Sequence, residues 1–160
     1  MNGYRFVSDW MLETTAEELW KLIEEPERAD WWRGCSICKV KAGSGGDGIG
    51  DEYLTVIRTR MLYKLSFTAQ IVEKRKPYLI ELRADGHLEG RGRLEFEQIG
   101  ACTRVRYTWE VRTKKRWMNL WAPFFRPAFV WNHNRVMADC IEGLTSRLGI
   151  RLISPEPAEA

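Results

Sequence analysis

From Tyr63 to Arg112 the chain keeps a single rhythm in which apolar and polar residues take turns. Tyr63, Leu65, Phe67, Ala69 and Ile71 alternate with Lys64, Ser66, Thr68 and Gln70, and Tyr78, Ile80, Leu82 and Ala84 resume after Pro77. The pair Asp85-Gly86 predicts a tight hairpin turn. Beyond it, Leu88, Gly90, Gly92, Leu94 and Phe96 face one way and Glu89, Arg91, Arg93, Glu95 and Glu97 the other. Val105, Tyr107, Trp109 and Val111 then repeat the scheme against Arg104, Arg106, Glu110 and Arg112. A strand sends successive side chains to opposite faces, so this pattern describes an antiparallel sheet with one wet face and one covered face.

The cover comes from a helix expected from about Pro123 to Leu148, with Gly149 as its C-terminal cap. Val130, His133, Met137, Cys140 or Ile141, Leu144 and Leu148 form its apolar stripe. Upstream, Tyr4, Phe6, Ser8, Trp10 and Leu12 alternate as a first strand. Thr15 and Glu18 then form a capping box for a short helix that Pro26 ends, and a second helical turn is expected from Glu27 to Trp32. The predicted fold is therefore α+β: a curved antiparallel sheet of about seven strands wrapped around a long C-terminal helix, with two short helices after the first strand. One helix cannot fill the concave face of so large a sheet, and side chains, water or a ligand must take the remainder. Eight tryptophans in 160 residues favour a wide core or a lined cavity.

Such a length suits one domain, set at residues 1–153, with the proline-rich, acidic residues 154–160 expected as a disordered tail. The formal charge of +3 is mild, so no nucleic-acid partner is expected. No apolar run reaches the length of a membrane span and the N-terminus has no signal pattern, which makes a cytoplasmic location the expectation. Cys35, Cys38, Cys102 and Cys140 are too dispersed for a secreted disulfide framework.

Three segments resemble one group of proteins. "KVKAGSGGDGIGDEY" is similar to a glycine-rich loop between second and third strands. "ETTAEELWKLIEEPERADWW" resembles an A-x-x-x-W helix followed by a Trp-bearing turn, and "RPAFVWNHNRVMADCIEGL" resembles a last helix with an Asn-His pair ahead of Met and Gly-Leu. The chain thus resembles the START-like (SRPBCC) superfamily with its helix-grip fold, including the birch-pollen-allergen-like and polyketide cyclase/dehydrase-like proteins, from about Tyr4 to Leu148. The resemblance implies a cavity between sheet and helix that accepts a hydrophobic molecule such as a lipid or polyketide. It is specific for fold and not for function, since those proteins include carriers, cyclases and co-chaperones.

Gly43 to Gly48 matches G-x-G-x-x-G, but that motif needs a helix directly after the loop, and "DEYLTVIRTR" alternates like a strand. The glycines are read as a flexible connection at the cavity mouth, and no cofactor is expected. Cys35 and Cys38 form C-x-x-C in a strand pattern, where their separation sends the thiols to opposite faces. No second ligand pair exists for a metal, so these cysteines are read as structural.

His133 shares the inward stripe. It is either a core histidine or a polar group on the cavity wall, where it would orient a ligand or act as acid/base in a cyclisation or dehydration. Catalysis would need a partner, with Tyr107, Ser8, Gln98 and Thr103 as inward candidates; His87 is expected in solvent. The candidate ligand-binding set begins with Trp10, Trp32, Tyr53, Tyr63, Phe67 and Leu82. Tyr107, Trp109, Trp121, Phe129, His133 and Met137 complete it. "TKKRWMNLWAPFF" reads as an aromatic lid, or as a segment making transient contact with anionic lipid. Pro123 suits the first helical position, and Pro127 should restart or kink the helix. Binding of a bulky hydrophobic molecule leads. A cyclase/dehydratase acting in the same cavity and a protein-interaction module using the charged outer face are the alternatives, with oligomeric state open.

Overall fold

The computed structural model describes residues 3–61 and 63–159. The chain runs through β1 (Gly3–Leu12), α1 (Ala16–Ile23), a 3₁₀ helix (Pro26–Trp31), β2 (Cys35–Lys41), β3 (Glu52–Arg58) and β4 (Lys64–Arg75). It continues through β5 (Leu79–Gly86), β6 (Leu88–Ile99), β7 (Cys102–Thr113), α2 (Arg116–Leu120), α3 (Ala122–Leu148) and β8 (Leu152–Glu159). The sheet order is β2-β3-β4-β5-β6-β7-β1-β8, and every neighbouring pair is antiparallel. The alternation on β7 holds in register, with Phe6 opposite Trp109 and Trp109 opposite Gly92.

Eight strands replace the expected seven because residues 152–159 lie along β1. Ser154 to Glu159, expected as a tail, thus belong to the sheet, while Ala160 lies outside the described residues. The pairing slips between Val7 and Asp9 and between Met11 and Leu12. Prolines 155 and 157 fit an edge strand, where a missing N–H costs no ladder bond.

The Asp85-Gly86 hairpin is wider than a two-residue turn. Gly86 still pairs with Phe67 of β4, and β5 meets β6 only from Ala84 opposite Gly90. His87, expected in solvent, is half-buried and accepts a hydrogen bond at Nδ1 from the Ser66 N–H at 3.2 Å. Tyr78 falls outside the strand pattern and is exposed.

Thr15 caps α1 by accepting from the Glu18 N–H at 3.2 Å. α3 has Pro123 in its first turn, runs on through Pro127 and ends at Gly149 in the left-handed conformation. Gly143 brings α3 against the 3₁₀ helix, because a Cβ there would stand 1.7 Å from the Trp31 carbonyl oxygen. Two apolar clusters result. Leu12, Leu19, Trp20, Ile80, Phe96 and Leu144 seal one end of the concave face, and Tyr4, Phe6, Phe67, Trp109 and Phe129 surround the other.

Candidate functional site

At that second end the side chains leave a hollow of about 200 Å³ between the sheet and α3, well above the roughly 10–15 Å³ that a single water requires. β4 supplies Leu65, Phe67, Ala69 and Ile71 from the face its alternation assigns inward, and Tyr63 lines the hollow from just before the strand. Tyr107 and Trp109 of β7 stack at 6.0 Å, and Phe67 meets Trp109 at 5.6 Å. Gly92 on β6 makes room for this wall, since a Cβ there would stand 2.8 Å from the Trp109 ring.

Of the residues expected around a ligand, Trp32, Tyr53, Tyr63, Phe67 and Leu82 line the hollow, as do Tyr107, Trp109, Phe129, His133 and Met137. Trp32 is fixed by its Nε1–H, which donates to the Val136 carbonyl at 3.2 Å. Trp10 and Trp121 lie elsewhere. Trp10 sits opposite Val105 and packs into the sealed end. It has the right face of β1 but stands too far along it. Trp121 joins α2 to α3 with its ring half exposed.

Tyr4, Phe6 and Asn132 are among the lining residues that the expected set left out. Tyr4 and Phe6 share the inward face of β1 with Trp10, and the alternation carried that signal without saying which end of the strand borders the hollow. Asn132, one position before His133, is buried and accepts from the Arg60 N–H at 3.3 Å. No sequence signal separated it from an exposed helical asparagine.

The polar groups are few and incompletely satisfied. His133 faces inward, its imidazole stacked on Phe6 at 3.8 Å, with Nε2 buried and without a hydrogen-bond partner. Burial pulls its pKa down to about 4, so the ring is neutral at pH 7. The Tyr4 hydroxyl is likewise buried without a partner, on a ring that stacks on Phe6 at 5.8 Å and meets the edge of Phe129 at 6.0 Å. Burial raises the Tyr4 pKa against the opposing charge of Arg126, and burial lifts the Tyr107 phenol far above its ordinary value. Buried polar atoms ordinarily find partners, so two orphans on residues that line one hollow are informative.

The other catalytic candidates have structural duties. Thr103 donates to the Thr14 carbonyl at 2.8 Å and to Gln98 Oε1 at 3.3 Å. Gln98 also accepts from the Ala16 N–H at 2.8 Å. Ser8 is buried but does not line the hollow. Cys35 is half-buried and Cys38 exposed, as opposite faces require, and both are free thiols; burial pushes the Cys35 pKa up to about 12.

The glycine loop does not form the mouth. Asp51 accepts from the Gly43 N–H at 2.7 Å, the Tyr53 hydroxyl at 3.1 Å and the Lys39 ammonium at 2.8 Å. These bonds fold residues 43–50 back on themselves, and none of them lines the hollow. A strand follows, as the alternation demanded. The β3–β4 connection reaches the helix instead, where Arg60 grips the Asp139 carboxylate at 3.0 and 3.2 Å. Met118 of α2 is buried against the hollow, while Trp117, Leu120, Trp121 and Phe124 face out. Within the basic-aromatic segment, Thr113 and Met118 thus border the hollow, while Trp117, Leu120, Trp121 and Phe124 form an exposed apolar face.

On the outer face the arginines are matched within the sheet. Arg91 pairs with Glu110 at 2.7 Å, Arg93 with Glu81 at 3.1 Å, and Arg104 and Arg106 both clasp Asp9 at 2.6–2.9 Å.

No family model matches the chain and no curated protein matches it in sequence. Among solved structures, a conserved protein from Geobacillus kaustophilus superposes with a TM-score of 0.73 at 16% identity, covering 98% of this chain and 100% of that one. Ara h 8.0201 matches with a TM-score of 0.56 at 12% identity over 71% of this chain and 80% of its own. The di-domain ARO/CYC StfQ from the steffimycin biosynthetic pathway matches with a TM-score of 0.65 at 9% identity, covering 92% of this chain and 52% of StfQ. The chain has the START-like, helix-grip fold.

Proposed function

We propose that this protein binds a hydrophobic small molecule carrying a hydroxyl or carbonyl oxygen in the hollow between the sheet and α3. One observation carries the reading: an aromatic-walled cavity of about 200 Å³ is lined by two residues, Tyr4 and His133, whose buried Oη and Nε2 atoms lack partners. An apolar ligand fills the space and an oxygen on it satisfies the orphans, each such bond contributing about 1 kcal/mol. Steroid-, polyketide- and fatty-acid-like molecules all meet that description. Binding is favoured over turnover because no lining group among the described residues titrates near neutrality. His133, with a pKa of about 4, is neutral and supplies no acid at pH 7, while its conjugate base is weak. The paired arginines of the outer face likewise favour the cavity over a charge-driven interaction module.

The test is a matched pair of probes, 2-naphthol and naphthalene, in thermal-shift and tryptophan-fluorescence titrations, with native mass spectrometry of gently purified protein. Both probes raise Tm, and the hydroxyl improves affinity about fivefold. Tyr4→Phe and His133→Phe each reduce that preference while leaving naphthalene binding intact. An unshifted Tm with both probes, together with a protein that carries no small molecule, refutes the reading.

A further inference from the structure

The face of α2 and early α3 that points away from the hollow is apolar and uncovered. Leu120 is 76% exposed and Phe124 78%, with Trp117 and Trp121 about half exposed beside them. Trp121 and Phe124 touch each other at 6.0 Å, so these residues form a contiguous patch. Such a patch is costly in water and marks a contact surface.

Its charge is as one-sided as its hydropathy. Between Lys114 and Ala138 the chain carries five cations and no carboxylate. The formal charge of +3 becomes −2 when those five are left out. Lys114 is already paired with Asp85 and Glu89, and Arg135 lies 5.8 Å from the Trp131 ring. Lys115, Arg116 and Arg126 have no ion pair among the described residues.

We propose that this patch docks on an anionic lipid bilayer. Tryptophans and phenylalanines on a short helical segment, rimmed by Lys and Arg, are the groups that insert at the headgroup boundary while the cations meet lipid phosphates. A second copy of the chain is a poor occupant, because a two-fold contact would bring the same cations face to face. The buried side of the segment makes the location consequential. Met118 and Phe129 line the hollow from the elements whose outer sides carry Leu120 and Phe124, so a docked protein presents the α2 end of its cavity to the membrane. Docking stands apart from cavity binding, since it is measured on protein without added ligand.

The experiment is co-sedimentation with vesicles of phosphatidylcholine alone and of phosphatidylcholine with about one third phosphatidylglycerol, each at low and high salt. The protein partitions onto the anionic vesicles at least about tenfold better, and salt removes the difference. Leu120→Ser with Phe124→Ser lowers partitioning at least about tenfold without changing the naphthol titration. Lys115→Glu with Arg116→Glu removes the anionic preference, and this pair serves should the first variant misfold. Three outcomes overturn the proposal. One is parent protein that ignores both vesicle types. Another is sedimentation velocity showing a parent dimer that Leu120→Ser with Phe124→Ser converts to monomer. The last is a single-stranded oligonucleotide that displaces the protein from anionic vesicles at stoichiometric concentration.

Discussion

Replacing His133 with phenylalanine isolates what it costs to hold an imidazole in an apolar hollow. Burial lowers the His133 pKa from an ordinary 6.5 to about 4. The unfolded chain therefore takes up a proton as pH falls through 6.5, and the folded chain resists until about 4. Across that window the unfolded state binds more protons, so unfolding free energy falls as pH falls. At roughly 1.4 kcal/mol per pH unit the full loss is about 3 kcal/mol, and about 2 kcal/mol of it is gone by pH 5. The carboxylates held low by their partners, Asp9 beside Arg104 and Arg106 and Asp51 beside Lys39, act in a separate range. Their contribution is present above the ordinary value of 3.8 and lost only as pH falls further. His87 is common to both proteins and cancels. Urea unfolding of parent and His133→Phe at pH 7 and pH 5 reads the difference directly. The parent should lose about 2 kcal/mol more than the variant over that interval, and the aromatic replacement retains a ring against Phe6. Parallel losses in the two proteins would refute the placement of a neutral, solvent-shielded imidazole in the cavity.

Two glycine substitutions probe the walls. Gly92→Ala puts a methyl 2.8 Å from the Trp109 ring, which must tilt into the hollow; stability falls by about 1–3 kcal/mol and naphthalene binding weakens, as thermal shift and fluorescence titration will report. Gly143→Ala gains about 1 kcal/mol of helix propensity but sets its methyl 1.7 Å from the Trp31 carbonyl oxygen. Urea unfolding should show a net loss of about 1–3 kcal/mol, and equal or higher stability would disprove the close approach of α3 to the 3₁₀ helix.

Much of this architecture was legible in the chain because each element speaks through its own period. Tyr63 to Ile71 alternate and do line the hollow. Val105 to Val111 alternate and do face inward. His133 and Met137, four residues apart, do share the inner face of α3. The failures fall where neighbours decide. Residues 154–159 have no strand pattern, with two prolines among them, yet they lie along β1 because its outer edge is otherwise unpaired. The glycine loop looked like a mouth, and Asp51, only one residue past its end, turns it back instead. Trp10 and Tyr4 read alike on β1, but Trp10 stands six positions further along the strand, at the sealed end.

By itself, then, the order of residues determined the sheet, its covering helix and which side chains look inward, since period and capping are local properties of the backbone. It also put aromatic rings and a lone histidine on the covered face. Where the space between them stays open was decided only by the folded arrangement: the register that sets Trp109 over Gly92, the close seating of Gly143, and the packing of α1 against one end alone. A void is the difference between the volume enclosed by distant segments and the volume their side chains fill. That difference belongs to no single stretch of chain.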